Sequence, residues 1–266
     1  HHRFSNKLIQ CYVIPMGAAI WSASFDETMA MPAYTFLHFW RNHGLLQTLN
    51  RPSWYTIEGG SRTYVNAIKQ KLDSISVNNA AKRIFRYDNG VKIVTEDNQE
   101  CFCDYVVIAT HANEALALLD SPSADESRLL GQWSYSQNHT VFHTDPAQLP
   151  PRKQCWASWN YLQDSHDADA PVSVSYLMNR LQGINSKTPY IVTLNPQTDI
   201  PDPYIIRTFN YTHPCFNTAS IATQKELPSL NNKNHTFFCG SYFKYGFHED
   251  AAWAGAEVAK HFGIYL

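Results

Sequence analysis

Two kinds of apolar pattern occur along the chain. Continuous apolar runs at 106–110 and 235–239 are typical of strands that are buried on both faces, as in a parallel sheet. Elsewhere the apolar residues recur at helical spacing, as at Phe36, Phe39 and Trp40 in a helix predicted over 32–43. The chain therefore combines buried strands with amphipathic helices.

Further helices are predicted from periodicity and from their start and stop signals. They cover 4–12, 63–72, 111–119, 217–226 and the carboxyl-terminal segment that starts at Glu249 and Asp250. The apolar segment 14–22 contains Pro15 and Gly17, which break regular structure, so we expect a buried loop there.

Alternating and β-branched segments predict the strands. The turn Asp88-Asn89-Gly90 indicates a hairpin between strands at 81–87 and 91–96. The other predicted strands are 54–57, 75–77, 101–110, 133–144, 154–161, 172–178, 189–194, 204–211 and 235–239.

The elements fall into two groups, which predicts a mixed α/β (α+β) fold of two interleaved domains. Residues 58–120 and 235–266 have βα character with buried, parallel-type strands, whereas 1–57 and 121–234 combine helices with exposed antiparallel strands. A junction between two such domains is a natural place for a ligand.

Composition narrows the classes of function. Among the 266 residues 44% are hydrophobic, 17% are charged and 14% are aromatic, which is typical of a globular protein with a large core. The net charge of -2, without a basic stripe, argues against nucleic acid as a partner. No apolar run is long enough to span a membrane.

The six cysteines show neither CxxC spacing nor any other metal-ligand spacing, so we expect free thiols, no metal site and a cytoplasmic location. No GxSxG motif and no nucleophile–base pair is apparent, and the catalytic residues stay unassigned.

The most informative segment runs from Gly240 to Ala251. It leaves a buried strand, passes through an aromatic loop and enters a helix. The first N–H groups of a helix lack intrahelical partners and carry partial positive charge, so they suit an anionic group such as a cofactor phosphate.

Five motifs in sequence order resemble the bacterial NAD/FAD-binding proteins of the flavin-containing amine oxidase superfamily. They are PMGAAIWS at 15–22, EGGSRTYV at 58–65, VIATHA at 107–112, WASWNY at 156–161 and FCGSYFKYGFHED at 238–250. The resemblance implies an FAD-dependent oxidoreductase that moves a hydride from substrate to flavin.

The GxGxxG turn that opens such proteins is absent from this sequence. The chain thus resembles the carboxyl-terminal portion of the family, with a remnant of the Rossmann-like FAD/NAD(P)-binding domain interleaved with a substrate domain. The alternatives are a non-catalytic scaffold that no longer binds FAD, and a flavin-dependent desaturase or isomerase. The open sheet edge left by the missing unit predicts self-association.

The resemblance also implies the cofactor residues. Val77 would contact the adenine side of FAD, Thr110 and His111 the diphosphate or ribose, and Gly240 the ribityl chain. The other implied cofactor residues are Gly59, Gly60, Phe247, Glu249, Asp250 and Ala251.

On the substrate side the implied residues are apolar or aromatic, which favours an apolar or lipid-like small molecule. They are Met16, Trp21, Trp159, Tyr161 and Phe247, the last as an aromatic wall facing the flavin. Core packing is the alternative role for Trp21.

Overall fold

The structure, a computed structural model, describes residues 4–47, 49–50, 52–162 and 173–265. These form two compact units. The first unit extends to Leu72 and resumes at Tyr135–Cys215, and the second consists of Asp73–Ser134 and Phe216–Leu266. The helix after the glycine pair, which the sequence analysis assigns to the FAD-binding part, falls in the first unit.

The first unit is built on a five-stranded antiparallel sheet in the order β6-β7-β8-β5-β9. Its strands are β5 (Tyr135–His143), β6 (Trp159–Leu162), β7 (Ser173–Leu177), β8 (Ile191–Leu194) and β9 (Ile205–Pro214). Its helices are α1 (Asn6–Leu8), α2 (Ile14–Trp21), α3 (Phe25–Ala30), α4 (Ala33–Asn42), α5 (Arg62–Lys69) and α8 (Met178–Leu181). Of the strand predicted at 172–178, Val172 lies outside the described residues.

The loop predicted at 14–22 is wrong, because these residues form helix α2. A π-helical turn, Ile9–Val13, joins α1 to α2, and the N–H of Ile14 donates to the carbonyl of Ile9. Pro15 follows directly, where the wide turn tolerates the missing N–H. Gly17 acts in packing, since a Cβ there would lie within 2.9 Å of Thr28 and even closer to the Phe36 ring.

The second unit holds two small sheets. The antiparallel sheet has the order β1 (Ala81–Tyr87), β2 (Gly90–Thr95), β3 (Glu100–Cys103), which confirms the predicted hairpin. The parallel pair consists of β4 (Val106–Ile108) and β10 (Thr236–Phe238). The helices are α6 (Ala112–Leu118), α7 (Ala124–Leu130), α9 (Thr218–Thr223) and α10 (His248–Lys260). Short 3-10 helices occur in both units at Pro146–Gln148, Lys153–Cys155, Asp202–Tyr204, Leu227–Leu230 and Ser241–Phe243.

The single strand predicted at 101–110 is two strands in different sheets. β3 pairs antiparallel with β2, and β4 pairs parallel with β10, so the chain changes sheets at Asp104 and Tyr105. β4 is also not buried on both faces. Val106 and Ile108 are buried, whereas Val107 is 45% exposed.

The strands predicted at 54–57 and 75–77 are absent. A strand needs a backbone partner, and no described residue pairs with either segment. Both segments are exposed throughout, including Val77.

A buried ion pair joins the hairpin of the second unit to α7. Arg86 donates from Nη1 and Nη2 to the two carboxylate oxygens of Glu126, at 2.5 and 3.0 Å. Both side chains are nearly inaccessible to solvent. Burial raises the pKa of Glu126, but hydrogen bonds from Arg86 and from the Ser123 N–H outweigh it and hold that pKa below its ordinary value.

Candidate functional site

The carboxyl ends of the two parallel strands lie side by side. The N–H of Cys239 donates to the carbonyl of Ile108 at 3.1 Å, which extends the pairing past β10. A Cβ on Gly240 would lie 3.5 Å from the carbonyl oxygen of Thr110. The structure therefore brings Thr110 and Gly240 together at the edge where ligands bind in open α/β sheets.

The absence of a side chain at Gly240 leaves room for the ring of Tyr242. The φ of Gly240 is +158°, and a Cβ would lie 2.7 Å from Cε1 of Tyr242, whose ring is buried against Trp133. The Tyr242 ring has no room to move away. A larger residue at 240 would therefore clash with the Tyr242 ring.

Asp250 organises the entry into α10. Its carboxylate accepts hydrogen bonds from the N–H of Phe247 at 2.9 Å and from the N–H of Tyr245 at 3.2 Å. The N–H of Ala251 donates to the carbonyl of Phe247 and so begins the helical ladder. The buried carboxylate of Asp250 thus fixes the loop in front of the helix.

The first turn of α10 is open to solvent. His248, Glu249 and Ala251 are exposed, and the N–H groups of His248 and Glu249 have no intrahelical acceptor because they belong to that turn. This end carries the positive end of the helix dipole. An anionic or hydrogen-bond-accepting group can approach it.

Two contacts fix the loop between β10 and α10. The side-chain amide of Gln224 donates to the carbonyl of Tyr242 at 3.1 Å and also to the carbonyl of Lys244. Nζ of Lys244 lies 3.5 Å from the ring centre of Trp253, a cation–π contact. The loop is thus held in place by the protein itself.

Thr110 and His111 lie between β4 and α6. Oγ1 of Thr110 donates to the carbonyl of His111 at 3.1 Å. The carboxylate of Glu114 accepts from the N–H of His111 at 3.1 Å and so supports the start of α6. Both residues are accessible at the strand end.

The other predicted cofactor residues lie in two further segments of the chain. Val77 is 70% exposed in an irregular segment of the second unit. Gly59 and Gly60, each with φ +76°, form the turn before α5 in the first unit. Their proposed roles stay predictions.

One face of the five-stranded sheet carries most of its aromatic side chains. The pairing register puts Trp159 opposite Tyr176, Tyr176 opposite Val192, and Val192 opposite Phe142. We call this side the aromatic face; its residues are Trp159, Tyr161, Val174, Tyr176, Val192, Leu194, Asn138, Thr140, Phe142, Arg207, Phe209 and Tyr211.

Two predicted substrate residues, Trp159 and Tyr161, lie on the aromatic face. They pack against Val174 together with Ala18 and Ala19 of α2. Burial raises the pKa of Tyr161, and it raises the pKa of Tyr176 to about 12, so both phenols stay neutral at physiological pH.

The remaining substrate residues are placed differently. Trp21 is buried among aromatic rings of the core, with ring centres 5.8 Å from Phe36 and 4.9 Å from Phe39. Met16 is half-buried on α2, and Phe247 is half-buried at the start of α10 in the second unit.

The sequence analysis missed a groove at the β5/β8/β9 end of the aromatic face. Its volume is about 280 Å³ and its walls are apolar. The lining residues are Thr140, Phe142, Met178, Gln182, Ile184, Tyr190, Val192, Phe209 and Tyr211. Alternation of Arg207, Phe209 and Tyr211 along β9 was the signal in the sequence that could have indicated it.

The opposite face of the sheet carries a chain of buried polar side chains. Nε2 of His143 lies 2.7 Å from Oγ1 of Thr193, which lies 2.8 Å from Oγ of Ser175. The N–H of Asp145 donates to Nδ1 of His143, so the neutral ring carries its proton on Nε2 and donates to Thr193. Burial lowers the pKa of His143 to about 4, against a smaller opposing effect of the Asp145 charge.

The side chains of His143, Thr193 and Ser175 resemble a nucleophile–base arrangement, but at most 1% of each residue is exposed. No substrate reaches them, so we assign them a structural role. Within the described ranges, no group of His, Cys, Asp and Glu side chains is arranged to hold a metal ion. None of the helices described is long and apolar enough to cross a membrane.

Solved structures with the same fold were found, while a search of curated proteins gave no match. A CLA-producing fatty acid isomerase from P. acnes superposes with a TM-score of 0.65 at 15% identity, over 96% of this chain. Reduced UDP-galactopyranose mutase superposes with a TM-score of 0.59 at 12% identity, over 98% of this chain. Putrescine oxidase with bound putrescine superposes with a TM-score of 0.54 at 9% identity, over 78% of this chain. At these identities the likeness shows the fold alone.

The chain spans only 63% of the length of the isomerase, 66% of the mutase and 54% of the putrescine oxidase. The family model for flavin containing amine oxidoreductases matches residues 5–189, which is more than half of the chain. This chain therefore belongs to the family of flavin-containing amine oxidoreductases.

Proposed function

We propose that this chain is part of an FAD-dependent oxidoreductase that acts on a small apolar molecule. The observation that carries the proposal is the carboxyl end of the β4–β10 pair in the second unit, with Thr110, Gly240 and the open first turn of α10. The chain belongs to a family of flavin-containing amine oxidoreductases. The aromatic face of the first unit supports an apolar substrate.

The residues present fit one part of FAD. The exposed first turn of α10 offers N–H groups to a hydrogen-bond acceptor. The glycine-rich turn that holds a dinucleotide diphosphate is absent from the sequence. We infer that a further polypeptide segment completes the diphosphate site.

Bound FAD would supply a two-electron acceptor for a hydride from the substrate. The chain's own residues would bind and orient. The first turn of α10 would favour negative charge on the group that it faces, and Asp250 would keep that turn in position. The Trp159 and Tyr161 rings would exclude water from an apolar substrate.

Flavin content tests the proposal. We would express the protein from its own gene in cells supplied with riboflavin and measure flavin absorbance per polypeptide after desalting. We expect the wild type to contain bound flavin. Gly240→Val is expected to contain less flavin per polypeptide, because the new side chain pushes against Tyr242. Gly255→Ala is the matched control, since nothing lies within 4 Å of a Cβ there.

The opposite result would be a colourless wild-type protein that does not bind added FAD. In that case the second candidate, a non-catalytic scaffold with the flavoprotein fold, would replace the enzyme. The absence of GxGxxG is the observation that favours it.

A flavin-dependent isomerase or desaturase is a third candidate. The fatty acid isomerase and the mutase match 96% and 98% of this chain, against 78% for the putrescine oxidase. Once a substrate is found, product mass separates the isomerase from the oxidase and the desaturase. Oxidation or desaturation removes two hydrogens from the carbon skeleton, whereas isomerisation leaves the mass unchanged.

A further inference from the structure

The groove on the aromatic face has the character of a ligand site. Aromatic rings form its walls, with the Phe209 and Tyr211 rings stacked at 5.4 Å and 12° and the Phe142 and Tyr190 rings 6.1 Å apart. Its polar groups are the side chains of Thr140 and Gln182 and the hydroxyls of Tyr190 and Tyr211, and the Thr140 hydroxyl already donates to the carbonyl of Asn138. An apolar body is therefore the expected occupant.

An arginine, Arg207, lies beside Phe209 of the groove. Arg207 lies directly opposite Phe142 in the β5/β9 register and so shares the aromatic face. Its guanidinium carbon lies 5.1 Å from the ring centre of Phe209. Within the part of the chain that the structure describes, no carboxylate forms an ion pair with Arg207.

A guanidinium held against an aromatic ring suits a carboxylate. Its planar donors match the two carboxylate oxygens, and the ring keeps it oriented at little cost in side-chain freedom. We propose that the groove binds a small monocarboxylate whose apolar body lies against Phe142, Tyr190 and Phe209 and whose carboxylate pairs with Arg207. The site goes beyond the proposed flavin chemistry and does not depend on bound FAD.

Size and charge favour this occupant over a protein surface. A volume of about 280 Å³ is slightly below the range of about 300–1,000 Å³ for small-molecule pockets. The guanidinium of Arg207 matches one negative charge. A second copy of the chain would instead need a contact area of several hundred Å² on each partner.

Calorimetric titration at a fixed low salt concentration tests the site. The probes are decanoate and 4-butylbenzoate, used below their aggregation limits, with 1-decanol and 4-butylbenzyl alcohol as neutral partners. We expect at least one carboxylate to bind about tenfold or more tightly than its alcohol, because a charge-assisted hydrogen bond contributes that much. The two pairs distinguish an alkyl from an aryl body.

Two variants locate the binding. Arg207→Gln is expected to remove the preference for the carboxylate over the alcohol, whereas Arg152→Gln, an exposed arginine of the same unit, is expected to keep it. Val192→Trp is expected to weaken the acid and the alcohol alike by filling the groove from its floor. Circular dichroism would check that each variant is folded.

Either of two outcomes would overturn the proposal. One is that neither carboxylate binds, or that Arg207→Gln binds both as the wild type does. The other is that no carboxylate binds and that Val192→Trp changes the oligomeric state, measured as the sedimentation coefficient. The groove would then be a contact between copies of the chain. Neither reading involves flavin, so failure of the proposed enzyme function would leave the result unaffected.

Discussion

At the residue scale, Gly240 is the position where the strand edge is most sensitive to substitution. We expect Gly240→Ala to lower the free energy of unfolding by about 1–3 kcal/mol, the usual effect of forcing a methyl group into a packed site. The new Cβ would lie 2.7 Å from Tyr242, and φ +158° is a conformation that residues with side chains rarely adopt. Chemical denaturation measures the effect.

Gly255→Ala, inside α10, is the control for that measurement. It places a methyl group in open space and replaces glycine in a helix, so we expect a gain of about 0.5–1 kcal/mol. Equal stability of the two variants would contradict the packing argument.

His143 predicts a specific dependence of stability on pH. The pKa is about 4 in the fold against an ordinary 6.5, so between these values the unfolded chain binds a proton more readily than the folded one. Stability therefore falls as the pH drops through this window, by about 3 kcal/mol at its lower end. Above pH 6.5 the residue makes no such contribution.

The measurement compares wild type with His143→Gln, which cannot be protonated, in urea unfolding from pH 7 to pH 4. The variant is expected to lose less stability than the wild type over that interval. Parallel curves for the two proteins would show that His143 does not titrate on unfolding.

Residue types alone predicted the site only in part. The strand ends at Thr110 and Gly240, each followed by a helix, were readable from the sequence, whereas their cofactor roles stay predictions. Trp159 and Trp21 are both aromatic residues in apolar surroundings, yet one lies on the aromatic face and the other in the core. Only the register of the sheet and the packing of α2 separate them.

At the scale of elements, the predictions worked where the signal was local. The Asp88-Asn89-Gly90 turn predicted the β1–β2 hairpin from three neighbouring residues. The division of 101–110 into β3 and β4 was not readable, because it depends on pairing with β10, more than a hundred residues away in sequence. Helix α2 was missed because Pro15 falls at a π-helical turn.

The Arg86–Glu126 pair predicts how firmly α7 is attached to β1. Glu126→Gln is expected to lower the free energy of unfolding by about 3 kcal/mol, because it leaves the buried guanidinium of Arg86 without its counter-charge. Since the pKa of Glu126 is lowered in the fold, its contribution is complete above pH 4.5 and is lost as the pH falls through the lowered value.

The exposed pair of Arg128 and Glu226 is the matched control in the same unit. Glu226→Gln is expected to change stability much less, because solvent screens that pair. Thermal unfolding of both variants at pH 7 shows whether the Arg86–Glu126 pair contributes more to stability than an exposed ion pair does.

At the scale of the whole molecule, an incomplete parallel sheet is the dominant feature. β4 pairs only with β10 among the strands that the structure describes, and Val107 at its centre is 45% exposed. Helix α5 has no buried residue, although its Val65 and Ile68 follow helical spacing.

We expect the isolated chain to self-associate at micromolar concentration through the β4 edge. Sedimentation velocity would show larger species that grow with concentration. Val107→Glu is expected to reduce them, whereas Tyr34→Ser, which removes an exposed ring from α4 in the first unit, leaves them unchanged. A monomer at every concentration would contradict this prediction.

In the sheet of the first unit, alternate residues of a strand have different roles. Those on one face contact the groove, and those on the other face contribute to stability. In β8, Val192 faces the groove while its neighbours Ile191 and Thr193 face the buried interior. Descendants of this protein could therefore acquire a new specificity by changing every second residue, with the intervening residues held constant by the demands of folding.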